Sequence, residues 1–116
     1  MTAPLTNAST DIRIAAIDIG SNSVRQIVAD VSPSGQIRVV DEMKAMPRLG
    51  EGLEATGALS PTAIDAAVTA VQRMVTLADQ LGAIRIEIVA TSAVRDAANS
   101  TDFTGQVLTR TGRRVR

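Results

Sequence analysis

The chain has 116 residues, of which 45% are hydrophobic and 21% charged, a composition typical of one globular domain and not of a disordered segment. It contains no cysteine and no histidine, so it offers no disulfide, thiol nucleophile or histidine general base. Twelve cations balance twelve anions and Phe103 is the sole aromatic residue, which argues against nucleic acid or an anionic membrane as a partner.

The first 11 residues are small and polar, and they are predicted to form a disordered tail. They have neither the basic start nor the apolar stretch of a signal peptide. No apolar run in the sequence approaches the roughly 20 residues that a membrane-spanning helix needs. We therefore expect a cytoplasmic protein whose folded part covers residues 12–116.

An antiparallel meander of three strands is predicted to open the fold. Residues 12–19 (IRIAAIDI) and 24–31 (VRQIVADV) are short and apolar, with Asp30 placed where it can reach solvent. A second turn at residues 32–35 leads to a third strand that opens at residues 37–40. The short turns between these strands favour antiparallel pairing.

The strongest helix signal follows a loop from Lys44 to Leu59. Ser60 suits the N-cap, Pro61 the first helical position and Gly82 the left-handed end. Apolar residues recur at three- and four-residue spacing, which predicts a buried stripe. The stripe residues are Ile64, Ala67, Val68, Val71, Met74, Val75, Ala78 and Leu81.

A fourth strand is predicted at residues 84–90, followed by helical segments at 93–99 and 103–111. Residues 113–116 either start a fifth strand or form a loose end. The order βββαβα predicts an α/β fold with a mixed sheet and at least one parallel pair of strands. The arginines near this end are expected to be solvated: Arg110, Arg113, Arg114 and Arg116.

The first candidate site is the turn Gly20–Ser23 with the preceding Asp18. A glycine at this point admits backbone conformations that expose successive amides, and the Ser21, Asn22 and Ser23 side chains add donors. Such a turn can hold a phosphate oxygen, and Asp18 can hold a magnesium ion against that phosphate. The alternative is an ordinary hairpin turn in which Asp18 binds local amides.

The second candidate site is Thr91–Asp96, where a helix is predicted to begin after the fourth strand. Helix starts present free amides that bind anions. Arg95 would lie in the first turn, where a cation is unfavourable unless an anion is bound. The alternative is a solvated Arg95 that pairs with Asp96 or Glu87.

Three separated blocks resemble the N-terminal part of the exopolyphosphatase/guanosine pentaphosphate phosphohydrolase (Ppx/GppA phosphatase) family. They are residues 14–23 (IAAIDIGSNS), 48–53 (RLGEGL) and 90–97 (ATSAVRDA), in matching order and spacing. Sugar kinases, actin-like proteins and chaperone ATPases share the first block, so the second and third blocks make the resemblance specific.

This resemblance implies an actin-like ATPase (ribonuclease H-like) half-domain over residues 12–116, incomplete before the later strands. It also implies a Mg²⁺ cofactor near Asp18, a substrate of polyphosphate or guanosine pentaphosphate, and a possible homo-oligomer. Arg95 would be the catalytic arginine. The implied phosphate-binding residues are Gly20, Ser21, Asn22, Ser23, Arg48 and Arg95.

In the family the general-base glutamate follows the next strand, beyond Arg116 in this numbering. We therefore expect the first part of a phosphoanhydride hydrolase, inactive by itself. One alternative is a non-catalytic module that binds phosphate or assembles through an open sheet edge. Another is a fragment of a sugar-kinase-like ATPase.

Overall fold

The computed structural model describes residues 10–116. Within that range the order of elements confirms the predicted βββαβα succession, to which two short helices are added. The strands are β1 (Ile12–Ile19), β2 (Val24–Val31), β3 (Ile37–Ala45) and β4 (Arg85–Ala90). The helices are α1 (Leu53–Thr56), α2 (Pro61–Gln80), α3 (Ser92–Arg95) and α4 (Ser100–Thr111).

The predicted tail lies outside the described residues except for Thr10 and Asp11. Among the helices described between residues 10 and 116, none is long and apolar enough to cross a membrane.

The four strands form one mixed sheet in the order β3-β2-β1-β4. β1 pairs antiparallel with β2, and β2 pairs antiparallel with β3. β1 also pairs parallel with β4, so that Ile19 lies beside both Val24 and Ala90. This topology confirms the meander and the parallel pair, and it places the carboxyl ends of β1 and β4 at one edge of the sheet.

β3 is longer than its sequence indicates, because it continues to Ala45. Lys44 pairs with Arg25 and Ala45 with Val24, so the predicted loop begins two residues later than expected. The partner of Val28 is Asp41 and the partner of Ala29 is Val39, which leaves an extra residue in β3. Such a bulge bends the strand locally.

α2 confirms its predicted signals. The Ser60 hydroxyl accepts a hydrogen bond from the Ala63 amide at 3.1 Å, and Gly82 has a φ of 82°. All residues of the predicted stripe are buried except Leu81, which is half-buried. They pack on β1 and β2, so the core lies between α2 and one face of the sheet.

Of the helix predicted over residues 93–99, only residues 93–95 are helical. α3 ends at Arg95 and α4 begins at Ser100, three residues before the predicted start at residue 103. The physical reason is a long-range contact at Asn99. The side-chain Nδ2 of Asn99 donates to the backbone carbonyl of Leu59, and its side-chain Oδ1 accepts from the backbone amide of Leu59, both at 2.8 Å. These bonds hold the chain in a non-helical conformation ahead of α4.

Residues 113–116 were expected either to start a fifth strand or to form a loose end. The first alternative holds, since Val115 forms a parallel bridge with Ile88 of β4. The arginines near this end are exposed or half-buried, in line with the expected solvated end, and three of them also pair with carboxylates. Their guanidinium groups form ion pairs with carboxylates of α2 and β4: Arg110 with Asp65, Arg113 with Asp79 and Arg116 with Glu87.

A half-buried ion pair connects the sheet to the end of α2. Arg13 donates to both carboxylate oxygens of Asp30, at 2.8 and 3.0 Å, and to the Leu81 carbonyl at 2.9 Å. Arg38 donates to Asp30 at 2.8 Å. Asp30 is only 7% exposed, so its expected solvent position was wrong. Hydrogen bonding to Arg13 holds the pKa of Asp30 below its ordinary value, and burial only partly opposes that effect.

We predict that Gln26→Met stabilises the fold by about 1–2 kcal/mol in urea unfolding at neutral pH. Gln26 is fully buried between Ile17 and Met43, and neither polar atom of its side chain has a hydrogen-bond partner among the described residues. Methionine has a similar shape without the desolvated amide. Gln80→Met, at an exposed position, should leave the midpoint unchanged. A less stable Gln26→Met would contradict this account.

We also predict that Asp30 supplies part of the acid sensitivity. Because its folded pKa is lowered, its contribution is present above the ordinary value of 3.8 and is lost as pH falls through the folded pKa. Asp30→Asn should therefore be less stable at pH 7 and should lose less further stability below about pH 4. Free energies of unfolding at several pH values measure this. The exposed pair of Asp65 provides the control variant Asp65→Asn, whose acid profile should follow that of the unaltered chain.

Candidate functional site

Two loops meet at the edge of the sheet where β1 and β4 end. The turn of residues 20–23 follows β1, and the Thr91 segment follows β4. The Thr91 amide donates to the Ile19 carbonyl at 2.9 Å, which extends the parallel pairing into the loops. Loops beyond the carboxyl ends of such strands are the usual location of ligand sites in open α/β sheets.

The 20–23 turn is tight at its base. The Gly20 amide donates to the Ser23 carbonyl at 2.9 Å, and a Cβ on Gly20 would lie 3.2 Å from that carbonyl oxygen. Gly20 and Ser23 therefore form the base of the turn, while Ser21 and Asn22 form its tip.

A second segment, residues 46–50, lies against this tip. The Arg48 amide donates to the Asn22 carbonyl at 3.1 Å, and the Gly50 amide donates to the Ser21 carbonyl at 2.8 Å. Leu49 is fully buried and anchors the segment in the core. Arg48 has a φ of 53°, a left-handed conformation that is uncommon for a residue with a side chain.

A cleft of about 500 Å³ lies between the turn and segment 46–50. It brings together three of the predicted phosphate-binding residues, Ser21, Asn22 and Arg48. The full lining consists of Ser21, Asn22, Met46, Arg48, Gly50 and Glu51. Arg48 is exposed and forms no ion pair within residues 10–116, so its guanidinium is free to contact an anion.

Asp18 does not line this cleft. It is exposed on the sheet face opposite α2, beside Arg25 of β2 and Val89 of β4. Across the described part of the chain, no group of three or more carboxylate, histidine or cysteine residues could hold a metal ion. Any cation near Asp18 would thus take most of its ligands from elsewhere.

The structure corrects the helix-dipole argument for Arg95. α3 is a single turn with Arg95 as its last residue, so the cation lies at the favourable end of the helix and not in the first turn of a longer one. Arg95 is exposed and does not line the cleft.

The expected partners of a solvated Arg95 are also wrong. Neither Asp96 nor Glu87 pairs with it among the described residues. Glu87 instead accepts hydrogen bonds from Arg116 and Arg85, which lower its pKa.

Glu51, Met46 and Gly50 were absent from the predicted site. Their position depends on the contact between segment 46–50 and the turn, which joins residues about 26 to 29 positions apart and has no local signal. The apolar Leu49 within the loop was a sequence feature that could have indicated an anchored segment.

The sheet topology and the position of this site define an α/β protein of the actin-like ATPase fold. The model of the Ppx/GppA phosphatase family matches residues 12–116, and the chain belongs to this family. Both findings confirm the predicted family and fold.

Similar proteins include two mycobacterial exopolyphosphatases. Exopolyphosphatase 2 of Mycobacterium tuberculosis is 40% identical over 94 residues, which cover 78% of this chain and 30% of that protein. Exopolyphosphatase 1 of Mycobacterium bovis is 32% identical over 101 residues, which cover 87% of this chain and 29% of that protein.

A crystal structure of the Aquifex aeolicus Ppx/GppA family member has the same fold, with a TM-score of 0.86 and 31% identity. The match covers 91% of this chain and 34% of that one. The chain thus spans about a third of the length of the relatives it matches.

Proposed function

We propose that this chain supplies the first phosphate-binding element of a phosphoanhydride hydrolase that acts on polyphosphate. The observation that carries the proposal is the cleft in which Ser21, Asn22 and Arg48 converge, within a family whose similar members are named exopolyphosphatases. Family membership favours this function over a sugar-kinase-like ATPase. Guanosine pentaphosphate stays a second substrate class, because its terminal phosphates offer the same oxygens.

The chemistry of the cleft suits the oxygens of a phosphate chain. The Ser21 hydroxyl and the Asn22 side-chain amide are neutral donors, and the Arg48 guanidinium provides a planar fork that can bind two oxygens at once. Glu51 adds one negative charge to the lining. We propose that it orients the phosphate chain by excluding anionic oxygens from its own side of the cleft.

We propose Mg²⁺ as the cofactor, held by Asp18. Magnesium in phosphate sites commonly takes one or two protein carboxylates, with waters and phosphate oxygens completing its octahedron. A single exposed carboxylate near the end of β1 fits that donor set. When bound, the ion would neutralise phosphate charge, while the protein groups named above bind and orient the chain.

We propose that the base that activates water lies outside residues 12–116, in the part of the relatives that this chain does not match. On this proposal the chain binds phosphate chains but does not hydrolyse them alone. A non-catalytic phosphate-binding or assembly module would also bind phosphate chains. It would differ from the hydrolase in that the anhydride bonds of the bound chain are not hydrolysed.

The first test is tripolyphosphate binding to the 116-residue chain, measured by calorimetry and by amide chemical shifts with Mg²⁺ present. Arg48→Ala should weaken binding about tenfold or more, the effect of one lost charge-assisted contact. Arg73→Ala removes an exposed arginine of α2 and should bind like the unaltered chain. Equal affinities for the Arg48 and Arg73 variants would refute the site.

The second test concerns Arg95 as the catalytic arginine. Residues 12–116 would replace the matching segment of exopolyphosphatase 2 of Mycobacterium tuberculosis, and phosphate release from polyphosphate would be measured. Arg95→Ala should lower turnover about a hundredfold, the scale of one lost charge-stabilising donor. Arg95→Lys should restore part of it, because lysine lacks the bidentate fork.

The melting temperature of the Arg95→Ala hybrid should not change, because this arginine is exposed and has no ion pair in the described part of the chain. Arg73→Ala is again the matched control. Near-normal turnover in Arg95→Ala would show that Arg95 is a surface residue without a role in the reaction.

A further inference from the structure

We infer that Gly50 is a positioning residue for the phosphate-binding turn, because its missing side chain lets segment 46–50 lie against Ser21. The inference rests on the proposed function, since it explains how the two halves of the cleft are held together. Gly50 itself need not touch the substrate. Its part is to fix the distance between Arg48 and the tip of the turn.

The space beside Gly50 is too small for any side chain. A Cβ at this position would lie 2.9 Å from the Ser21 Cβ and 3.3 Å from both the carbonyl oxygen and the Oγ of Ser21. The Ser21 Cβ is bonded directly to the main chain, so no rotation of the serine side chain moves it away. An alanine at residue 50 therefore requires the backbone of the turn or of segment 46–50 to shift.

Most other glycines of this chain meet a different requirement. Gly57 and Gly82 have φ values of 72° and 82°, and a Cβ added to either would meet no heavy atom of a distant residue within 4 Å. Their need is conformational, since they occupy the left-handed region. Gly50 lies outside that region of φ, so a glycine is required there only because no side chain fits. A close approach between two loops is the structural reason for a glycine at residue 50.

Two hydrogen bonds depend on this close approach. The Gly50 amide donates to the Ser21 carbonyl at 2.8 Å, and the Arg48 amide donates to the Asn22 carbonyl at 3.1 Å. Both would lengthen if the segment moved outward, and such bonds weaken steeply beyond their normal range. Arg48 would then lose the contacts that hold it in its left-handed conformation at a φ of 53°.

The test measures tripolyphosphate affinity in the 116-residue chain, at a temperature where every variant is folded. Gly50→Ala should bind about tenfold more weakly, because Arg48 and the turn no longer reach the same phosphate chain. Gly57→Ala is the control for lost stability, since it strains the backbone at an open site. It should lower the melting temperature and keep the affinity. Gly105→Ala, in α4 with open space, should change neither property for the worse.

A rescue variant separates crowding from any other effect of the added methyl group. In Gly50→Ala/Ser21→Gly the crowding Cβ of residue 21 is absent. Only the approach at 3.3 Å to the carbonyl oxygen of residue 21 remains in this double variant. The loss of tripolyphosphate affinity caused by Gly50→Ala should therefore be much smaller in the Ser21→Gly background than with Ser21 present. An equal loss in both backgrounds would overturn the inference.

Amide hydrogen exchange at residues 48 and 50 gives a readout that needs no ligand. Gly50→Ala should lose protection at both amides, and adding Ser21→Gly should restore it, whereas Gly57→Ala should not alter it. If the unaltered chain fails to bind tripolyphosphate, the proposed function fails, and the exchange result alone decides the role of Gly50. Unchanged protection in Gly50→Ala, or unchanged affinity where the parent binds, would overturn the positioning role.

Discussion

The place of the Thr91 segment, which carries Arg95, beside the 20–23 turn depends on the parallel pairing of β1 with β4. Parallel strands end at the same edge of a sheet, so the turn after Ile19 and the segment after Ala90 meet there although about 70 residues separate them. The hydrogen bond from the Thr91 amide to the Ile19 carbonyl continues this pairing beyond the strands. Without it, Arg95 would have no reason to lie near the turn that carries Ser21 and Asn22.

α2 makes that pairing possible and also stabilises it. It lies in the connection between β3 and β4, which brings the chain back beside β1. Its apolar stripe covers β1 and β2. Arg13 contacts both Asp30 and the Leu81 carbonyl, so one guanidinium joins two strands to the end of this helix. The site is therefore built on loops whose flanking elements are rigidly connected, which is the arrangement that loop sites require.

The attraction of an anion to the cleft depends on nearby groups and not on the net charge of the chain. The chain has no net charge, so attraction of a phosphate chain cannot come from an overall positive field. On the proposed function it has to come from a few donors at the right separation, and Arg48 with the tip of the turn would supply them. On that proposal, the spacing between segment 46–50 and the turn would matter more for binding than the number of basic residues.

Elements with local causes can be derived from the amino-acid sequence alone. β1, β2 and α2 follow from apolar periodicity and from the Ser60 and Gly82 caps, and the Gly20–Ser23 turn follows from its composition. Three features cannot be derived in this way: the end of α3, the position of Arg95 and the contact of segment 46–50 with Ser21. Each depends on bonds between distant residues, such as Asn99 with Leu59, and long-range contacts override local propensity without leaving a periodic pattern in the sequence.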